Sequence, residues 1–140
     1  MLKYPQWYLV IMTTRKQQVE FAELYERAHM AGMKAGLEHN PTPMVVHEED
    51  IFGNRTGPDY EPVMDGVCGF AWIEVRPTRS TFGNWLRDSE RGRYDDYRHC
   101  VRIWVGGFNQ SMERKEAYAV AFTEVLRNGG IRASSHSRMD

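Results

Sequence analysis

Two segments of the chain alternate strictly between aliphatic positions and aromatic or charged positions. They are Gly69–Val75 and Val101–Gly107. Side chains alternate across a strand, so this pattern predicts two strands, each with two different faces. The aliphatic positions are Ala71, Ile73, Val75, Val101, Ile103 and Val105. The opposite positions include Phe70, Trp72, Glu74, Arg102 and Trp104. Helices can cover the aliphatic side, so the aromatic side is the one that needs a function or a second core.

Three other segments repeat with the period of a helix. Thr14 and Gln17 form a capping-box sequence, which predicts a helix that ends before Pro41. Its apolar stripe is Phe21, Leu24, Tyr25, Ala28, Ala31, Gly32 and Ala35. The small residues of the second half predict a close approach to a sheet. Ser80 or Thr78 caps the start of a short helix that stops near Gly92. Asn109 or Ser111 caps the start of a third helix, whose apolar stripe runs from Tyr118 to Leu126.

Two further segments are predicted to be strands. Trp7–Met12 is continuously apolar, and Ile131–Asp140 alternates between two sets of side chains. The resulting order is β-α-long loop-β-α-β-α-β. It predicts an α+β domain with a mixed sheet of four to five strands and three helices. All three helices could lie on the aliphatic side and leave the aromatic side free. They could equally divide between the two sides and make it a second core.

The 140 residues fit a single domain, 1–140, and the 41% hydrophobic and 26% charged fractions are those of a globular protein. No apolar run approaches a membrane span, and Trp7–Met12 is too short for a signal-peptide core. We therefore expect a cytoplasmic protein with no membrane partner. Cys68 and Cys100 are expected to be buried thiols rather than a disulfide.

Charge is unevenly distributed along the chain, although the net charge is −1. Residues 38–65 contain one Arg and seven acids, which gives −6, and residues 66–140 contain twelve Lys/Arg and nine acids, which gives +3. Residues 40–66 therefore predict a long acidic loop interrupted by proline and glycine. Its carboxylates could hold a divalent cation for a metal-dependent hydrolase, but their spacing matches no metal motif, and a solvated loop is the simpler reading.

The aromatic side of the predicted sheet is the main candidate binding site. Bases stack on aromatic rings, and guanidinium groups pair with phosphates, so Trp72, Trp104 and Arg102 could bind a nucleotide or single-stranded nucleic acid. Arg132, His136 and Arg138 of the last segment could extend this site with guanidiniums for phosphate or carboxylate, or could be the charges of an edge strand. The alternative is that these large rings are buried, or form a homo-oligomer or partner interface.

The turn before the third helix is a second candidate. Gly106 and Gly107 precede a capped helix start, where free amides can bind an anion. The predicted contacts are Asn109, Ser111, Arg114 and Lys115. The spacing matches no phosphate-binding fingerprint, so an ordinary turn and N-cap is the alternative. No catalytic residue, cofactor or metal site is predicted, because no nucleophile or ligand motif is present.

Six short motifs stand out within residues 66–140. They are Cys68-Gly-Phe-Ala-Trp72, Ser80-x-Phe82-x-x-Trp85-Leu86, Ile103-Trp-Val105, the Asn109–Tyr118 segment, Gly130-Ile-x-Ala133 and Ser137-Arg-Met-Asp140. Through these motifs, roughly the last 75 residues resemble small uncharacterised proteins encoded by tailed bacteriophages. The resemblance implies a phage-encoded protein acting in the cytoplasm of an infected bacterium, for example in host takeover or counter-defence. It supplies no residue roles.

Overall fold

Four strands and three helices make up the part of the chain that the structure, a computed structural model, describes, namely residues 14–140. They are α1 (Arg15–Glu38), β1 (Gly69–Val75), α2 (Thr81–Asp88), β2 (Arg93–Asp95), β3 (Cys100–Trp104), α3 (Met112–Asn128) and β4 (Ala133–Met139). The predicted α+β class and the three helices are confirmed. The strand predicted at Trp7–Met12 lies outside the described residues.

The described strands form one sheet in the order β2-β3-β1-β4, and each neighbouring pair is antiparallel. A mixed sheet was expected, but the pairs described include no parallel one. From β1 onward the elements follow the order β-α-β-β-α-β, the split β-α-β arrangement. This topology places β1 and β3, the two strands that carry tryptophan, at the centre of the sheet.

Two strand boundaries differ from the prediction. β2 was predicted as loop, because its three residues Arg93–Asp95 carry no apolar alternation. β3 ends at Trp104 and not at Gly107, although the amide of Val105 still donates to the carbonyl of Ala71 at 3.1 Å. Gly107 then takes a positive φ of 79°, which turns the chain out of the sheet.

The helix starts form as their side chains predict. Thr14 Oγ1 accepts from the Gln17 amide at 3.1 Å, and the Gln17 side chain accepts from the Thr14 amide at 3.0 Å. Ser80 accepts from the Gly83 amide and Ser111 from the Arg114 amide. These contacts select Ser80 over Thr78 and Ser111 over Asn109 as the N-caps.

The core lies on the aliphatic side of the sheet. On this side, β1 buries Ala71, Ile73 and Val75 completely. The helices add Phe82 of α2 and Phe122 of α3, each with no more than 1% of its surface exposed. α1 contributes to the same cluster. Because all three described helices pack into this core, none of them covers the opposite side of the sheet.

The small residues of α1 were predicted to approach the sheet. Gly32 instead packs against α3, so this prediction was wrong. A Cβ atom on Gly32 would lie 2.7 Å from Cδ2 of Tyr118, a distance that real Cβ contacts do not reach. The Tyr118 hydroxyl is held 2.6 Å from Nδ1 of His29 on α1. The absence of a side chain at Gly32 therefore lets the two helices approach closely.

The acidic segment between α1 and β1 is ordered into an arm, residues 44–63. Two antiparallel bridges, Met44–Val63 and Glu49–Arg55, join its two sides. The Tyr60 hydroxyl donates to Glu48 at 2.6 Å, and Arg55 pairs with Asp59 at 3.0 Å. We call this segment the acidic arm.

Candidate ligand-binding face

The side of the sheet opposite the helices carries a continuous row of rings. We call this side the aromatic face; its members are Phe70, Trp72, Glu74, Arg102, Trp104, His136 and Arg138. The strand register places Trp72 of β1 between Trp104 of β3 and His136 of β4. The Trp72 ring is 5.2 Å from the Trp104 ring and 5.8 Å from His136, with which it is nearly parallel at 16°.

Arg102 lies in the next row and bridges the two tryptophans. Its guanidinium carbon is 4.8 Å from the centroid of Trp72 and 4.9 Å from that of Trp104. The same guanidinium pairs with Asp95 of β2 at 2.6 Å. The stacking and the ion pair fix the position of Arg102, so it supports the two rings, and its charge is already balanced by Asp95.

Phe70 and Arg138 form the far end of the face. The two residues are paired in register, and the Arg138 guanidinium lies 5.4 Å from the Phe70 ring centroid. Arg138 is exposed, and it makes none of the ion pairs found among residues 14–140. It is thus a positive charge that a ligand can reach.

A buried carboxylate lies beneath the face. The side chain of Glu74 is only 1% exposed, yet it contacts Nη1 of Arg76 at 2.9 Å and Nε of Arg98 at 2.6 Å. The indole of Trp72 donates to it at 2.8 Å. Burial alone would raise the pKa of Glu74, but these three contacts and the charge of His136 outweigh it and lower that pKa to about 2. The carboxylate is therefore ionised at neutral pH.

His136 is a stacking partner of Trp72. Burial lowers its pKa, and the guanidiniums of Arg98, Arg76 and Arg102 lower it further, against the opposite effect of Glu74. The ring is thus neutral at pH 7. The same nitrogen, Nε2, lies 2.8 Å from Ser134 Oγ and 3.5 Å from Glu74. A relay needs the two ring nitrogens to face different partners, so these three residues do not form one.

The two tryptophans differ in access. Trp72 is 8% exposed and is enclosed by its neighbours, whereas Trp104 is 46% exposed. The sequence treats them as equivalent, because both occupy the same face of a central strand. Only Trp104 presents enough ring surface for a base to stack on, while Trp72 holds the face together.

The four residues predicted around the Gly106–Gly107 turn are engaged in other contacts or lie apart from the aromatic face. Ser111 is completely buried as the N-cap of α3, and Arg114 donates to the carbonyls of Gly36 and Leu37 at the end of α1. Lys115 is 7% exposed and donates to the carbonyl of Gly69 at 3.1 Å. Asn109 is exposed in a left-handed turn with φ 52°. These contacts fix the ends of the elements, and an anion site at this turn stays a prediction.

The remaining chemistry is sparse. Cys100 is buried, but Cys68 is exposed, which corrects the expectation that both thiols are hidden; neither forms a disulfide. Residues 14–140 contain no group of three His, Cys, Asp or Glu side chains that could hold a metal ion. Across the same range, no helix has the length and apolar character that crossing a bilayer requires.

Sequence reasoning missed the two arginines that hold Glu74. Arg76 follows β1 directly, and Arg98 lies in the β2–β3 turn, where its carbonyl accepts from Arg76 at 2.9 Å. A glutamate at a strand position among aromatic residues was the available indication, since a buried carboxylate needs cationic partners.

Comparison of the chain with protein-family models, with curated proteins and with solved structures finds no match.

Proposed function

We propose that the protein binds single-stranded nucleic acid, or a nucleotide unit of it, on the aromatic face. The observation that carries the proposal is the half-exposed Trp104 ring on a sheet face that no described helix covers. Base stacking on such a ring contributes about 1–3 kcal/mol and tolerates any base. The exposed guanidinium of Arg138 lies on the same face and is free to pair with a phosphate.

The charge of the face favours an anionic ligand. Glu74 is balanced by Arg76 and Arg98, whose side chains are 31% and 39% exposed, and Asp95 is balanced by Arg102. The carboxylates are thus neutralised or hidden, and the side chains of Arg76 and Arg98 remain partly exposed. A four-stranded antiparallel sheet with exposed rings is also how RRM domains bind single-stranded RNA, although a shared topology does not establish a shared ligand.

Removal of the Trp104 ring is expected to weaken binding of a fluorescein-labelled single-stranded oligonucleotide by about 5- to 150-fold, the equivalent of one lost stack. Fluorescence anisotropy at low salt measures this for wild type and Trp104→Ala. Tyr94→Ala is the matched control, because Tyr94 is equally exposed at 47% but pairs with Val101 on the other side of the sheet.

The control variant should bind as wild type does. Absence of binding by the wild-type protein at low salt would remove the proposal, and so would equal losses in the two variants. The resemblance to phage proteins would place this binding in an infected bacterium, and that role stays a prediction.

Protein–protein contact is a second candidate function, and the acidic arm favours it. At its tip, Ile51 is 93% and Phe52 81% exposed. The tip is not loose, since Asp50 Oδ1 accepts from the amides of Phe52 and Asn54, each at 2.9 Å. Two large apolar side chains fixed in solvent are typical of an interaction site. The partner with complementary charge is a second copy, because residues 66–140 carry +3 against −6 for residues 38–65.

Self-association through the arm predicts a scattering mass that rises with protein concentration. The Ile51→Ser/Phe52→Ser double variant should remain monomeric, while Val120→Ser, at a half-exposed site on α3, should behave as wild type. Light scattering from micromolar to millimolar protein measures both. A wild-type mass that stays at 16.3 kDa throughout would exclude this candidate.

A further inference from the structure

A cleft of about 520 Å³ opens where β1 ends, α3 ends and β4 begins. Three arginines line it, one from each region: Arg76 after β1, Arg127 in the last turn of α3, and Arg132 before β4. The rest of the wall is formed by Glu74, Gly130, Ile131, Ala133 and Ser134. Guanidinium groups thus meet here from three separate parts of the chain.

Two of the three guanidiniums have no acidic partner. Arg76 is used on Glu74, whose carboxylate is hidden at the base of the cleft. Arg127 and Arg132 are exposed, and none of the ion pairs formed within residues 14–140 includes either of them. The cleft therefore carries an uncompensated charge of about +2, which is unfavourable unless an anion or solvent screens it.

The cleft adjoins the aromatic face. Glu74 and Ser134 are paired in register, and they lie two residues along from the pair of Trp72 and His136. Two residues of a strand span about 7 Å. Trp104 lies one strand across from Trp72, so a ligand stacked on it is about 8 Å from Glu74 at the edge of the cleft and can extend a neighbouring nucleotide toward the cleft.

We infer that this cleft is a phosphate subsite of the proposed nucleic-acid site. Arg127 and Arg132 supply planar, bidentate donors for the phosphate oxygens, and Arg76 closes the third side. Phosphate is favoured over a carboxylate, because two free guanidiniums match the several oxygens of a phosphate better than the two oxygens of a single carboxylate. The inference rests on the proposed function, whose own test is the Trp104→Ala variant.

The test is the salt dependence of oligonucleotide binding by the Arg127→Ala/Arg132→Ala double variant. Each lost phosphate contact lowers the slope of log K against log salt by about 0.7 for a single strand. Loss of one or two contacts should reduce the affinity about 5- to 30-fold at 0.1 M salt. Arg27→Ala, at an exposed position of α1, is the control and should leave the slope unchanged. Both arginines are exposed, so circular dichroism should show an unchanged fold.

The outcomes separate the two proposals. If Trp104→Ala weakens binding but the double arginine variant keeps both the wild-type affinity and the wild-type slope, the subsite is wrong and the binding function stands. If the wild-type protein binds no oligonucleotide, the function fails. Inorganic pyrophosphate then tests the cleft alone: it should raise the melting temperature of wild type, with acetate as the carboxylate control, and have no effect on the double variant. An equal response to acetate, or none to pyrophosphate, would overturn the subsite.

Discussion

The Glu74→Gln variant is expected to lose about 3 kcal/mol of unfolding free energy at pH 7. The carboxylate of Glu74 is 1% exposed and is contacted by Arg76, Arg98 and the Trp72 indole. Glutamine keeps an acceptor for the indole but removes the charge that both guanidiniums balance. Breaking a buried pair by removing one partner typically costs about 3–5 kcal/mol. The two arginines are partly exposed and can be rehydrated, which places the expected loss at the lower end.

The unfolding free energy lost in the Glu74→Gln variant should decrease as the pH falls. The pKa of Glu74 falls from 4.5 to about 2 on folding, so its contribution to stability is fully present above pH 4.5. It is lost as the pH falls from there toward 2, because the unfolded state then binds a proton that the folded state still excludes. The difference between wild type and Glu74→Gln should therefore shrink over this window.

Urea unfolding of both proteins at pH 7, 5 and 3 measures the difference. The comparison with the variant is needed, since Asp50 and Asp95 also have lowered pKa values, which makes wild type acid-sensitive for other reasons. Glu23→Gln, at an exposed position on α1, is the control and should change stability by less than about 0.5 kcal/mol at every pH. A difference at position 74 that stays constant from pH 7 to 3 would contradict the ionised, buried carboxylate.

Local rules were sufficient for most of the elements. Side-chain caps at Thr14 and Ser80 and the alternation of Gly69–Val75 are properties of neighbouring residues, so each element could be located from its own sequence. β2 could not, because three polar residues form a strand only through their pairing with β3. The packing of Gly32 against Tyr118 was missed for the same reason, since it depends on a contact between distant segments.

The face itself was predictable, but the access to each ring was not. Alternation puts Trp72 and Trp104 on one side, and the structure agrees. Their burial differs because Trp72 has paired neighbours on both strands, whereas the pairing of β2 with β3 ends at Arg102, one row before Trp104. Burial on a sheet thus depends on register and on the lengths of the neighbouring strands, which the alternation of a single strand does not contain.

The turn predicted to bind an anion shows that polar groups can look free in the sequence and be engaged in the fold. A serine at a helix start and a lysine in its first turn suggest exposed donors. The bridge between Cys68 and Ser111 instead brings this helix start against the beginning of β1 and buries Ser111, while Lys115 donates to the carbonyl of Gly69. Which polar groups remain free for a ligand depends on such tertiary contacts. The sequence indicated Arg132 as a possible phosphate contact, but the guanidinium of Arg127 could not be singled out.

Removal of the Trp72 ring is expected to cost about 3–5 kcal/mol of unfolding free energy, whereas Trp104→Ala should cost only about 1. Trp72 is 8% exposed, stacks on His136 and supplies the only indole donor to Glu74 within the described chain. Trp104 exposes almost half of its surface and makes no such hydrogen bond among residues 14–140.

The decisive measurement is a double-mutant cycle of Trp72→Phe and Glu74→Gln by urea unfolding at pH 7. Phenylalanine keeps most of the stacking area but removes the indole N–H, so its cost comes mainly from the lost hydrogen bond to Oε2 of Glu74, which keeps its contact with Arg98. If the indole and the carboxylate act as one unit, the double variant should be more stable than the sum of the single losses implies, by about 0.5–3 kcal/mol. Trp104→Phe with Glu74→Gln is the control cycle and should be additive. Because glutamine keeps an acceptor for the indole, the cycle measures what the charge of Glu74 adds to this hydrogen bond. Additive behaviour in both cycles would mean that this charge adds nothing to the contact with Trp72.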